Sequence, residues 1–179
     1  MNGPYYLGGE LLATPPSTYT VVGVGDFNGD GRPDLVFADS SFGNNIRFWY
    51  FNRARFLRED TLLGAPGSSN PNYHVVGVGD FNRDGKPDLL FQSAIDGQLV
   101  VWYMNGNNYA GGSALLRYPN SGWQVKAIAD YNNDGWPDIV FQNATSGKVV
   151  IWFVNGLTFT GGDLTTMQPL APYQVIGPH

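Results

Sequence analysis

The 179-residue sequence contains no cysteine, which excludes disulfides, thiolate zinc sites and a cysteine nucleophile while leaving the compartment open. Charged residues make up only 14% of it, too few for a charge-driven disordered tail. Lys, Glu and Ala, the staples of helices, are sparse. No apolar run approaches membrane-spanning length, so membrane insertion is not expected. The opening MNGPYYLGG does not read as a signal peptide, and a secretory signal is expected to lie outside this sequence.

What is abundant points the other way. There are 24 Gly, 12 Pro and 15% aromatic residues, a mixture that favours many short strands joined by tight turns. The net charge of −5 argues against a nucleic-acid partner. The acids are unevenly placed, however: nine of the fifteen Asp and Glu fall in three short loops. One divalent cation per loop would add six charges and bring the net from −5 to about +1, a nearly neutral surface without a basic stripe. The acidity reports the loops and not an acidic partner.

Residues 19–34 (YTVVGVGDFNGDGRPD), 73–88 (YHVVGVGDFNRDGKPD) and 123–138 (WQVKAIADYNNDGWPD) align without a gap, spaced by 54 and then 50 residues. Each copy reads as four strands. Strand A opens on an aromatic (Tyr19, Tyr73, Trp123), and strand B follows the acidic loop. Strand C holds Trp49, Trp102 or Trp152, and strand D follows an Asn-Gly turn. Four antiparallel strands per repeat of this length predict an all-β propeller blade. Strands B and C are apolar at successive positions, so both sheet faces must be covered, as in blades packed around an axis. Glycines at 23, 25, 77 and 79 suit the innermost strand, where neighbouring backbones crowd.

Blades are expected at 19–71, 72–121 and 122–171, with an outer strand in 1–18 and an inner strand in 172–179: fourteen strands, or three and a half blades. An open arc of this kind exposes strand edges and an apolar blade face, so a homo-oligomer is expected, with a dimer preferred to closure within one chain.

The loops read Asp26-x-Asn28-x-Asp30-Gly31-Arg32-Pro33-Asp34, Asp80-x-Asn82-x-Asp84-Gly85-Lys86-Pro87-Asp88 and Asp130-x-Asn132-x-Asp134-Gly135-Trp136-Pro137-Asp138. Oxygen ligands at positions 1, 3, 5 and 9, with the carbonyl of Arg32, Lys86 or Trp136 at position 7, suit a hard cation, and the glycine at position 6 permits the sharp bend. Calcium fits an all-oxygen set better than magnesium or zinc does, so about three Ca2+ per chain are expected. An EF-hand is excluded, because position 12 is Phe37, Phe91 or Phe141 in place of Glu and no helix flanks the loop. Position 9 closes the loop on itself, so the ion is expected to act as a structural staple.

The D-F-N-x-D-G-x-P-D-L core, followed by a strand ending W-x-x-N-G, resembles the FG-GAP/VCBS repeat, a family that includes the integrin α-subunit propeller and a fungal lectin propeller. The resemblance implies a propeller with calcium in the A-to-B loops. The first copy departs from it at Arg53, where the others have glycine.

Recurrence of the Trp residues among aliphatics marks them as core and not as sugar-stacking platforms. Trp136, standing where the other loops have Arg or Lys, is expected to be exposed. The candidate ligand-binding residues are Gln92, Tyr103, Asn105, Gln142, Asn143 and Asn155: amides beside aromatics that either bond sugar hydroxyls in a groove between blades or satisfy turn backbone. Asn143-Ala144-Thr145 is a glycosylation sequon. Outside the loops the acids are scattered and His74 has no repeat partner, so no enzyme is expected. Two functions remain: a secreted or cell-surface, lectin-like module reading glycans or glycoproteins, and a structural or protein-adhesion propeller with no sugar site.

Overall fold

A computed structural model describes residues 14–39, 45–65, 72–114 and 122–164. Twelve strands and no helix lie among them, in three antiparallel sheets of four. Blade 1 is β1 (Tyr19–Gly25), β2 (Asp34–Asp39), β3 (Ile46–Asn52) and β4 (Arg55–Thr61). Blade 2 is β5 (Tyr73–Gly79), β6 (Asp88–Ser93), β7 (Leu99–Asn105) and β8 (Asn108–Ala114). Blade 3 is β9 (Trp123–Ala129), β10 (Asp138–Asn143), β11 (Val149–Asn155) and β12 (Thr158–Leu164). In each sheet the strands pair in chain order, the meander that short turns dictate. The expected outer and inner half-blade strands fall outside the described residues.

The double-sided apolar pattern of strands B and C is used as a propeller requires. One core lies between blades 1 and 2, built from Phe27, Val36, Phe48 and Tyr50 on one side and Val75, Leu89, Phe91 and Met104 on the other. A second lies between blades 2 and 3, with Phe81, Leu90, Leu99 and Val101 facing Val125, Ile139, Phe141 and Val154. The recurring Trp is the middle ring of a stack crossing each blade: Phe37–Trp49–Phe56, Phe91–Trp102–Tyr109 and Phe141–Trp152–Phe159, with centroids 4.5–5.4 Å apart. These tryptophans are packing residues.

The inner strands β1, β5 and β9 follow one another around the centre. Their glycines are notches for the next blade. A Cβ on Gly23 would lie 2.2 Å from a methyl of Val78, and one on Gly77 would lie 2.3 Å from Cδ1 of Ile128. Each strand thus inserts a branched side chain where its predecessor has none.

Blade 1 is the atypical member. Its outer strand β4 carries Arg58 and Glu59 where β8 has the Gly111-Gly112 pair, followed by Asp60. Glu59 accepts from Arg47 and from the Trp49 indole, while Arg47 and Arg58 lie over the rings of Tyr19 and Tyr50. Arg53, the departure from Asn-Gly at the C-to-D turn, takes a φ of 58°. A side chain there costs about 1–2 kcal/mol relative to glycine, which the turn tolerates.

Filling a notch should therefore destabilise the fold. Gly77→Ala is expected to lower unfolding stability by about 1–3 kcal/mol in urea titrations. Ile128→Ala in the same chain should recover part of the loss. Gly161→Ala, whose nearest foreign atom is Phe153 Cδ2 at 4.0 Å, should stay within about 0.5 kcal/mol of the parent.

Candidate metal loops and inter-blade cleft

The three A-to-B loops repeat one hydrogen-bond scheme. The first aspartate folds the loop around itself: Asp26 Oδ1 accepts from the amides of Gly29 (2.8 Å) and Asp30 (3.0 Å), and its Oδ2 from that of Gly31 (2.7 Å). Asn28 Oδ1 accepts from the Asp30 amide and Asp30 Oδ1 from the Arg32 amide, each at 2.9 Å. Asp80, Asn82 and Asp84 repeat this pattern, with Asp84 accepting from Lys86. So do Asp130, Asn132 and Asp134, with Asp134 accepting from Trp136. Gly31, Gly85 and Gly135 hold φ of 80–85°, the left-handed bend anticipated at position 6.

The ninth residue does something the sequence did not disclose. Asp34, Asp88 and Asp138 have no solvent exposure. Asp34 accepts from the Phe27 amide at the loop's start (3.1 Å) and from the Phe51 amide at the end of β3 (3.0 Å). Asp88 does the same with Phe81 (2.9 Å) and Met104 (3.0 Å). Asp138 bonds Tyr131 (2.9 Å), Asn132 (3.3 Å) and Val154 (3.2 Å). Each strand C amide in this set sits at a register shift against strand D: Tyr50/Phe51, Tyr103/Met104 and Phe153/Val154. A bulge leaves a buried N–H outside the ladder, and the aspartate satisfies it.

Burial raises all three of these carboxyls above the usual carboxylate range, against the pull of their amide partners. Asp88 is pushed up to about 7, with the charges of Asp84 and Asp80 adding to the effect of burial.

As a metal site, each loop gathers the carboxylates of positions 1 and 5, the amide of position 3 and a backbone carbonyl at position 7. This is an all-oxygen set that fits a hard divalent cation in kind. Among the described residues no three acidic or histidine side chains come close enough to hold an ion by themselves. The Asn oxygen and the carbonyl would therefore have to share the coordination.

Loop 2 also grips loop 3. The Arg83 guanidinium donates from Nε to Gly135 O (3.0 Å) and from Nη2 to Asp134 O, and lies 4.0 Å from the centroid of the Trp136 ring. Trp136 is consequently half-buried and not the free aromatic its place in a loop suggested.

The six candidate ligand residues do not form one site. The antiparallel registers put the ends of β6 and β10 at the opposite end of the blades from the ends of β7 and β11. Gln92, Gln142 and Asn143 lie at the first end, Asn105 and Asn155 at the second, beside the metal loops. Gln92 is a buried strut: it donates to Trp123 O (2.9 Å) and accepts from the Val125 amide (3.0 Å), joining blade 2 to the inner strand of blade 3. Gln142 is buried and donates to Gly147 O (3.2 Å). Asn143 caps the turn it begins, accepting from Thr145 and from the amide and hydroxyl of Ser146. Tyr103 packs on the core between blades 2 and 3, while Asn105 and Asn155 are exposed on C-to-D turns.

What the structure does assemble is a cleft of about 370 Å³ between blades 2 and 3, lined by His74, Gln92, Ser93, Trp123, Gln124 and Lys126 among others. It lies where strands β5 and β9 begin. A seven-residue strand A at about 3.3 Å per residue separates it from the metal loops by roughly 20 Å. His74, Gln124 and Lys126 escaped the sequence reading because they fall on the strands assigned to the crowded centre. The usable signal was their alternation with Val75 and Val125, which marks an outward face.

Among the described residues no helix is long and apolar enough to cross a membrane. No curated protein matches the chain. The model of the FG-GAP-like repeat matches residues 26–91 and 80–141, each span running from one acidic loop through the following blade elements. With the repeated loop, the four-stranded blades and this match in hand, the chain belongs to the FG-GAP-like repeat family, and its fold is that of a β-propeller built from such repeats.

Proposed function

We propose that this chain is a calcium-stapled recognition module, secreted or displayed at a cell surface, which binds carbohydrate in the cleft between blades and carries out no catalysis. The observation that carries the reading is the cleft between blades 2 and 3. Its volume lies in the range of ligand pockets, about 300–1,000 Å³, and it sets the half-buried Trp123 beside the polar His74, Gln124 and Lys126. An aromatic surface beside side chains that both donate and accept is the chemistry that recognises a sugar ring and its hydroxyls.

The separation of cleft and loops assigns calcium a task. An ion about 20 Å from the cleft cannot touch the sugar bound there, so it acts by holding the A-to-B turn. Absence of turnover is supported by the fates of three of the six acids outside the loops. Glu59 is engaged by Arg47 and Trp49, Asp60 by Arg58, and Asp96 caps its own turn at Gln98. Among the described residues no Asp or Glu lines the cleft. The competing reading, an adhesion propeller without a sugar site, is favoured by Gln92, which commits both ends of its amide to blade 3. A glycan array separates the two: binding to defined sugars supports the lectin-like reading, and a blank array with retained protein binding supports the other.

Two outcomes are expected. His74→Ala and Gln124→Ala, at exposed side chains, should each weaken glycan binding roughly tenfold, since each removes a directed hydrogen bond, and leave the melting temperature unchanged. Chelation should lower the melting temperature, because each site contributes about 2.7 kcal/mol when free calcium is a hundred times its Kd.

The two kinds of loop aspartate should also part company. Asp84→Ala should destabilise mainly in calcium, through one lost site. Asp88→Ala should destabilise by roughly 2–5 kcal/mol with or without calcium, because it strands the buried amides of Phe81 and Met104. Equal effects of both variants in excess chelator, read by differential scanning calorimetry, would contradict this division of roles.

A further inference from the structure

The notch contact made twice inside the chain leaves one half unmatched. Val75 and Val125 occupy equivalent places on β5 and β9 and are 7% and 8% exposed, each sealed against the preceding blade. Their counterpart on β1, Val21, is 49% exposed. Val78 and Ile128 fill the notches at Gly23 and Gly77, but their counterpart Val24 is 42% exposed. The outer half of blade 1 is not part of this opening, since Phe37, Trp49 and Phe51 are buried. The free surface is the inner edge of blade 1: two valines shaped for a strand that no described residue supplies.

The sequence holds one further segment of the matching kind. Residues 173–177, Tyr-Gln-Val-Ile-Gly, repeat the opening of β1, β5 and β9, and Gly177 stands at the notch position of Gly23 and Gly77. We propose that copies of this chain associate head to tail, with residues 173–177 of one copy lying along the exposed inner edge of blade 1 in another and Gly177 receiving Val24. The contact is a third instance of the interface that already joins blade 1 to blade 2 and blade 2 to blade 3. It is heterologous, so it closes a ring or extends a chain according to the rotation between copies. A second copy is the occupant because no described residue of the chain covers Val21 or Val24.

The absence of cysteine makes the contact directly readable. At the two internal notches the knob's Cβ lies 3.2 and 3.9 Å from the ideal Cβ position of the glycine, close to the 3.5–4.5 Å that a disulfide spans. A chain carrying Val24→Cys and Gly177→Cys should, on mild oxidation, give species at twice the 19.6 kDa chain mass or higher multiples on a non-reducing gel. Gly23→Cys with Val78→Cys is the control for the same geometry and should link within one chain. Val24→Arg, at a side chain already in solvent, should weaken association at least roughly tenfold in sedimentation equilibrium, as loss of a central contact does. A disulfide between positions 24 and 177 that is confined to single chains would overturn the proposal in favour of self-closure. No link where the control forms, or association indifferent to Val24→Arg, would overturn it as well.

Discussion

Each blade depends on one buried carboxylate that answers backbone amides of both the loop and strand C. Strand C shifts register against strand D just before its last two residues, and the shift frees an N–H in the interior, at Phe51, Met104 or Val154. The A-to-B loop frees another at its second residue. A buried amide without a partner costs on the order of 1–3 kcal/mol, so both must be met. Asp34, Asp88 and Asp138 meet them together and thereby tie loop, strand B and strand C into one unit. Three blades use the same bond, so the arrangement belongs to the repeat and not to one lucky contact.

From that tie the rest follows in order. With its ninth residue anchored, the loop closes over its first aspartate, and the oxygens of positions 1, 3 and 5 are held on the rim of the propeller. Rigid loops can then be gripped by neighbours, as Arg83 grips loop 3 through its carbonyls and the face of Trp136. The blades stack by notch and knob at the centre and by the apolar cores between them, while an aromatic stack runs through each blade. The cleft between blades 2 and 3 opens at the far end, where strand A begins and the metal loops do not reach. Acidic loops and cleft thus occupy opposite ends of the same strands.

Much of this was legible in the sequence because it is periodic. The gapless match of the three loops located the blades, the successive apolar residues of strands B and C announced two covered faces, and the glycines at 23 and 77 marked crowding at the centre. What stayed hidden depends on register and on partners from another blade. A bulge leaves no mark in a single strand, so Asp88 read only as a ligand, and its amides at Phe81 and Met104 were invisible. Gln92 read as a recognition amide because nothing in its own blade says that β9 takes both ends of it. Trp136 read as exposed because Arg83 comes from the neighbouring loop. His74, Gln124 and Lys126 were not read as site residues because they sit on β5 and β9, the strands assigned by the repeat to the crowded centre.

Native-state hydrogen exchange of the Met104 amide tests the central tie most directly. In the parent chain the amides of Phe51, Met104 and Val154 should all exchange slowly, through large-scale unfolding. In Asp88→Ala the account predicts that Met104 becomes fast at its own site while Phe51 and Val154 keep their protection. A Met104 amide still as protected as the other two in that variant would show that the carboxylate is not what holds the blade together.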